Sequence, residues 1–223
     1  MTTAPGERID LARLIDHTLL RADATQSDVE RVCDEAIQWG FAAVCVNPWY
    51  VKLAKRELAG SSTKVCTVAG FPLGATLSAV KAHEAELAVS EGAQEIDMVM
   101  NLGALKSGLS DVVSDDIRAV VVSAGPSAIV KVIIEACYLT DEEKVLACRL
   151  IQESGADFVK TSTGFGTGGA TVEDVRLMRR SVGPELGVKA AGGIADRRTA
   201  LSLVEAGATR IGSSRSLAIV GEA

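Results

Sequence analysis

Apolar and polar residues alternate over short stretches of this chain, as in strands that bury one face under helices. In the run 95–101, Ile96, Met98 and Met100 share one face, while Glu95, Asp97, Val99 and Asn101 share the other. The run 129–136 repeats the arrangement, with Val130, Val132 and Ile134 opposite Lys131, Ile133 and Glu135. Runs of this kind predict strands near 14–18, 42–47, 64–69, 95–100, 129–136, 158–161, 187–190 and 209–212. Amphipathic segments between them predict helices, including 26–39, 77–91, 141–154 and 172–180. Thr140 and Thr171 stand before acidic first turns as N-caps, and Gly40, Gly92, Gly155 and Gly207 fall where helices should stop. Strand–helix alternation with short loops requires parallel pairing, and eight units in 223 residues fit a closed (β/α)8 TIM barrel. An open doubly wound sheet would need a Gly-rich turn after its first strand, which is absent. With no low-complexity linker or break, residues 1–223 are read as one domain.

The same alternation sorts the side chains of the barrel. Val44, Val46, Val188 and Ala190 should face the helices, with Cys45, Asn47 and Lys189 facing in. If Lys160 points inward, so do Phe158 and Ser162. The interior then holds Asp16, Asp97, Lys131, Glu135, Lys160 and Lys189, where branched aliphatics would be usual. Lys160 closes an apolar strand and is followed by Thr161-Ser162-Thr163-Gly164; Lys189 does the same before Gly192-Gly193. An ammonium is costly to bury. Two lysines at successive strand ends therefore point to an amine used as a nucleophile on a carbonyl, with a structural ion pair as the alternative. In the first reading Asp97 keeps Lys189 charged, and that ammonium disfavours a second charge on Lys160. The neutral amine adds to an aldehyde, and the iminium so formed drains electrons to give an enamine. Lys131, early in its strand, reads as structural, and Cys45 as a small buried hydrophobe.

Composition narrows the field without naming a substrate. The chain is 48% hydrophobic and 23% charged, with a net charge of -6 and no basic block, which disfavours nucleic acid. No apolar run is long enough to span a bilayer, and Met1–Gly6 has neither the charged nor the apolar region of a secretory leader. Five cysteines without a CxxC pair fit reduced thiols and a cytoplasmic protein. With only His17 and His83, no metal site is expected; His17 should face the helices and His83 the solvent. Trp39, Trp49 and Tyr50 are expected to pack. Gly192-Gly193-Ile194 and Gly212-Ser213-Ser214 each lead from one of the last two strands towards a helix, where barrels commonly bind phosphate.

Several long segments occur in an order that resembles the deoxyribose-phosphate aldolases over nearly the whole chain. They are Asp16-His17-Thr18-Leu19-Leu20, Cys45-Val46-Asn47-Pro48, the stretch from Cys66 through Gly70-Phe71-Pro72-Leu73-Gly74, Glu95–Asn101 and the two lysine motifs. The resemblance implies a cofactor-free class I aldolase. Such an enzyme interconverts 2-deoxy-D-ribose 5-phosphate with acetaldehyde and D-glyceraldehyde 3-phosphate. It implies Lys160 as the Schiff-base lysine, with Lys189 and Asp97 relaying protons. Asp16, Cys45, Thr163, Gly164, Gly192, Gly193, Gly212, Ser213 and Ser214 become the substrate-binding candidates, and a homodimer or homotetramer the expected assembly. Alternatives are another Schiff-base sugar-phosphate aldolase, a transaldolase-like enzyme, or a non-catalytic sugar-phosphate-binding barrel. The chain departs from many relatives at Arg215, which replaces a small residue, and at Ala195, which replaces an arginine. It also ends at Gly221-Glu222-Ala223 without the terminal tyrosine of longer members, for which slower proton exchange at the enamine carbon is the expectation.

Overall fold

The computed structural model describes residues 9–221, so Met1–Gly6 and the end at Glu222-Ala223 lie outside the described residues. Eight parallel strands form a closed barrel in sequence order, and β1 (Ile15–Leu19) pairs with β8 (Arg210–Ser213) to complete it. The others are β2 (Ala43–Val46), β3 (Lys64–Ala69), β4 (Glu95–Val99), β5 (Ile129–Ile133), β6 (Phe158–Lys160) and β7 (Gly187–Ala191). All eight predicted strands are present, most with ends shifted by one or two residues. The clearest difference is at β5, which stops at Ile133 rather than running to 136, because Glu135 turns into the left-handed region.

Helices connect the strands on the outside. They are α1 (Gln26–Trp39), α2 (Val51–Glu57), α3 (Ser78–Glu91), α4 (Leu102–Lys106), α5 (Ser110–Ala124), α6 (Asp141–Glu153), α7 (Val172–Val182), α8 (Arg197–Glu205) and α9 (Ser216–Val220). Their starts have local causes. Thr140 and Glu143 form a reciprocal capping box at α6, and the Thr171 hydroxyl accepts from the Asp174 amide at α7. At the end of α1, Gly40 adopts φ 68°, a left-handed stop that costs a residue without Cβ nothing.

The strands divide the apolar residues between two cores. Val44, Val46, Ile96, Met98, Val130, Val132, Val188 and Ala190 belong to the large layer between barrel and helices. Inside, a much smaller apolar group of Leu20, Ala43, Cys45, Cys66 and Val68 fills the side near β2 and β3. Much of the remaining interior is ionic, as the alternation predicts.

The remaining expectations divide. His17 faces α1, with Nε2 2.7 Å from Glu35 and Nδ1 2.9 Å from the Ser216 hydroxyl. His83 is exposed, and Tyr50 packs on the core with its hydroxyl donating to the Ala24 carbonyl at 2.6 Å. Trp49 corrects the reading: it is 86% exposed on the turn Pro48–Tyr50, and Trp39 at the end of α1 is exposed as well. That turn follows the strand directly, so Tyr50 points inward and its neighbour is left in solvent.

Candidate active site

Parallel register brings the charged side chains of six strands together inside the barrel. Asp97 stands beside Lys131, and Lys160 beside Lys189. Lys189 in turn neighbours Arg210, and Asp16 pairs across the closure with Gly212. Asp97 is the hub. Its Oδ2 accepts from Lys160 Nζ at 2.7 Å and from Lys189 Nζ at 2.6 Å, and its Oδ1 accepts from Lys131 Nζ at 3.0 Å. Lys189 also pairs with Asp16, and Lys131 lies 2.5 Å from Glu95. Arg210 completes the cluster from below, donating to Asp16 at 2.6 Å and Glu95 at 2.8 Å while its guanidinium lies over the Phe158 ring.

Burial raises the cost of every charge in this cluster, and mutual attraction outweighs it. Burial alone would push Asp97 up, but Lys131, Lys160 and Lys189 hold it well below the usual carboxylate range. Against the same penalty, Lys189, Lys131 and Arg210 keep Asp16 low. Burial disfavours an ammonium at Lys189, yet Asp16 and Asp97 raise it above the ordinary lysine range. Lys131 is raised in the same way, chiefly by Asp97 once burial is overcome. Beside them burial, the neighbouring Cys45 and Asp97 push the Cys66 thiol well up, and it donates to Asp97 Oδ1 at 3.4 Å. Cys45, Cys66 and Asp97 could approach one metal ion, as could Asp16, Cys66 and Glu95. The carboxylates of both groups already serve ammonium and guanidinium partners, so the arrangement fits an ion-pair network better than a cation site.

Above the cluster, at the C-terminal mouth of the barrel, lies a cavity of about 670 Å³. Lys160 reaches its floor, whereas Lys189, Asp97 and Asp16 lie beneath it and do not line it. Thr163 and Gly164 line it from the loop after β6, Gly192 and Gly193 from the loop after β7, and Gly212, Ser213 and Ser214 from β8 and beyond. Gly192 and Gly193 have φ of 89° and 77°, a backbone that a side chain would disfavour. The helix after this loop is less available than the sequence suggests, because Asp196 caps α8 and accepts from the Thr199 amide at 2.8 Å. Cys45 is fully buried in the inner apolar group and is not part of the lining.

Two arginines complete the wall: Arg215, singled out in the sequence, and Arg21, which was not. Among the described residues the lining thus has three cationic side chains, with Lys160, and no carboxylate, although Arg21 is itself paired with Asp23 at 2.8 Å and with Asp28. Arg21 follows the Asp16–Leu20 segment directly, so its position after β1 was the available signal. Arg210 was also missed; alternation from Gly212 across β8 would have placed it inside.

A buried cluster of lysines under an anion-attracting cavity at the C-terminal face of a barrel defines an enzyme site of the amine-catalysis type. The model of the DeoC/LacD family aldolases matches residues 11–219. The chain is 61% identical to the deoxyribose-phosphate aldolase of Streptococcus pneumoniae over 210 residues, covering 94% of this chain and 95% of that one. It is equally identical to that of Thermococcus gammatolerans, over 95% of this chain and 96% of the relative. A solved deoxyribose phosphate aldolase from Aeropyrum pernix, described as a unique tetramer, superimposes with a TM-score of 0.88 at 35% identity, covering 95% of this chain and 89% of that one. The chain belongs to the DeoC/LacD aldolase family.

Proposed function

We propose that this enzyme is a deoxyribose-phosphate aldolase, a lyase that reversibly cleaves 2-deoxy-D-ribose 5-phosphate to acetaldehyde and D-glyceraldehyde 3-phosphate with Lys160 as its nucleophile. One observation carries the assignment of roles: of the two lysines that share Asp97 Oδ2, only Lys160 reaches the cavity. Lys160 also has a single carboxylate partner, whereas Lys189 has Asp16 and Asp97. The cluster holds Lys131, Lys160, Lys189 and Arg210 against Asp16, Glu95 and Asp97, so it is neutral once one ammonium has lost its proton. Lys131 and Lys189 are held charged by their carboxylate partners.

In the cleavage direction the amine attacks C1 of the open-chain sugar, and loss of water leaves an iminium. Removal of the proton on the C3 hydroxyl breaks the C2–C3 bond. The bonding pair flows to the iminium, releasing D-glyceraldehyde 3-phosphate and leaving an enamine. Protonation at C2 and addition of water then free acetaldehyde and Lys160. Asp97, in contact with the nitrogen, and Lys189, reached through the same Asp97 oxygen, are the proton relay of this reading. The wall with Arg215 and the two glycine loops receives the phosphate.

We also infer a homo-oligomer in the cytoplasm. The tetrameric Aeropyrum relative supports the first part. The absence of a CxxC pair, together with cysteines that are all unpaired among the described residues, supports the second.

The test is borohydride reduction after addition of acetaldehyde, followed by peptide mass spectrometry. A reduced two-carbon adduct confined to Lys160 is expected. An adduct on Lys189 would reverse the lysine roles, and no site-specific adduct would remove the Schiff-base reading.

A further inference from the structure

Glu135 stands apart from the ion-pair cluster. Among the described residues it is the only non-glycine with positive φ, at 43°, and it is buried. A left-handed glutamate is strained, and such strain persists where surrounding contacts over-determine it, often beside functional sites. Here the contacts all lead to one loop. The Thr163 amide donates to Oε1 at 3.2 Å and Oε2 at 3.4 Å, and the Thr163 hydroxyl donates to Oε2. That hydroxyl oxygen accepts in turn from the Phe165 amide at 3.0 Å. One carboxylate thus fixes Thr163, Gly164 and Phe165, three residues of the cavity wall that follow Lys160.

The far end of the same loop is fastened to the opposite side of the site. The Ala170 amide donates to the Gly192 carbonyl at 3.1 Å, and a Cβ on Gly169 would fall 2.3 Å from that oxygen. At the near end, a Cβ on Gly166 would fall 2.9 Å from Glu135 Cδ. The loop is therefore a strap drawn between Glu135 and the Gly192–Gly193 loop, with no spare volume at either attachment.

We propose that Glu135 is a positioning residue which, through Thr163 and this strap, sets the geometry of the cavity wall that selects the phosphorylated end of the substrate. It touches no reacting atom. The inference rests on the aldolase reading above, and it separates two properties that a general structural role would lower together. Lys160 sits on β6 and is anchored by Asp97, so amine chemistry should survive a slack strap while phosphate recognition does not.

The experiment measures kcat and KM for 2-deoxy-D-ribose 5-phosphate, cleavage of unphosphorylated 2-deoxyribose, and the borohydride-trapped acetaldehyde adduct at Lys160. Glu135→Gln keeps the shape but offers one acceptor oxygen in place of two and no charge. Its KM should rise about tenfold, the size of one weakened hydrogen bond to a charged group. The adduct yield and the unphosphorylated reaction should stay at wild-type levels. Gly166→Ala, which presses on the same carboxylate from the other side, should reproduce the effect and decides the matter if Glu135→Gln does not fold. A wild-type KM in either folded variant, or loss of adduct in parallel with turnover, overturns the proposal. A wild-type enzyme that neither cleaves the phosphorylated sugar nor forms the adduct would instead refute the aldolase reading.

Discussion

Asp97→Asn is the substitution whose consequences the interior dictates most directly. The carboxylate accepts from three ammonium groups, Lys131 on one oxygen and Lys160 and Lys189 on the other. An asparagine must turn its NH2 towards one of these sides, so a donor meets a donor in either orientation. The change also leaves four cationic side chains facing only Asp16 and Glu95 in the buried interior of the barrel. Removing one partner of a buried ion pair costs roughly 3–5 kcal/mol, because the orphaned charge stays buried. For a chain of this size that corresponds to a fall in Tm of about 6–20 °C. Thermal unfolding followed by circular dichroism reads the loss, and a coupled assay of glyceraldehyde 3-phosphate release reads turnover. The double variant Asp97→Asn with Lys189→Met sharpens the test. It restores the original excess of one cation, so much of the lost Tm should return while turnover does not. A single variant that melts within about 2 °C of the wild type would refute the hub assignment, since that shift corresponds to under about 1 kcal/mol. Recovery of activity along with stability in the double variant would refute the relay.

Lys160→Met should abolish turnover, by roughly a thousandfold or more, because no other amine among the described residues reaches the cavity. Its Tm should stay level or rise, because the cluster becomes three cations against three carboxylates; a fall of more than about 5 °C would show that Lys160 is structural. Arg215→Gln should raise KM for the phosphorylated sugar several-fold, up to about tenfold, with kcat retained; an unchanged KM would place Arg215 outside the phosphate's reach. Stability should respond to acid in two stages. His17 is lowered from its ordinary value, chiefly by burial, so its contribution is full above about pH 6.5 and is lost as pH falls through its folded value. Asp16 and Asp97 are also lowered, so theirs is full above about pH 4 and is lost only below it. His17→Gln should erase the first stage and leave the second. Lys131 and Lys189 are raised, so their contribution persists until the pH climbs past about 10.4.

Strand alternation carried most of the site because a barrel wall has only two faces. Once Ile96 and Met98 are assigned to the helices, Asp97 has nowhere to point but inward, and the same holds for Lys131 and Lys189. Alternation carries no information where period two does not apply. Glu135 lies two residues beyond the end of β5, and nothing in its neighbours signals a left-handed glutamate; that conformation is imposed from Thr163, 28 positions later. Trp49 lies on a turn, where no face is defined, and residue size was a poor guide to burial. The Lys81–Asp116 pair between α3 and α5, 2.6 Å apart and fully buried, was also unread. Its signal existed: Lys81 lies four and seven positions before Ala85 and Ala88, on the face that α3 buries. A lysine there looks like a solvated residue unless its helical neighbours are consulted.

The separation of charges along the barrel axis explains how one site can both activate an amine and hold a phosphate. A phosphate dianion near Asp16 or Asp97 would be repelled, yet those carboxylates are needed to keep Lys189 ionised. The fold resolves this by depth. Every carboxylate of the cluster lies below the cavity beside its cationic partners, and the wall above carries Arg215, the hydroxyls of Ser213 and Ser214 and the backbone of the glycine loops. Lys160 stands at the boundary, its stem on β6 and its nitrogen between the two zones. At that position the Lys160 nitrogen meets Asp97 from below while the substrate carbonyl arrives from above. The strap between Glu135 and Gly192 holds the upper zone in register with the lower one. Reaction and recognition thus share a single residue, and the strain at Glu135 is confined to the part of the structure that joins them.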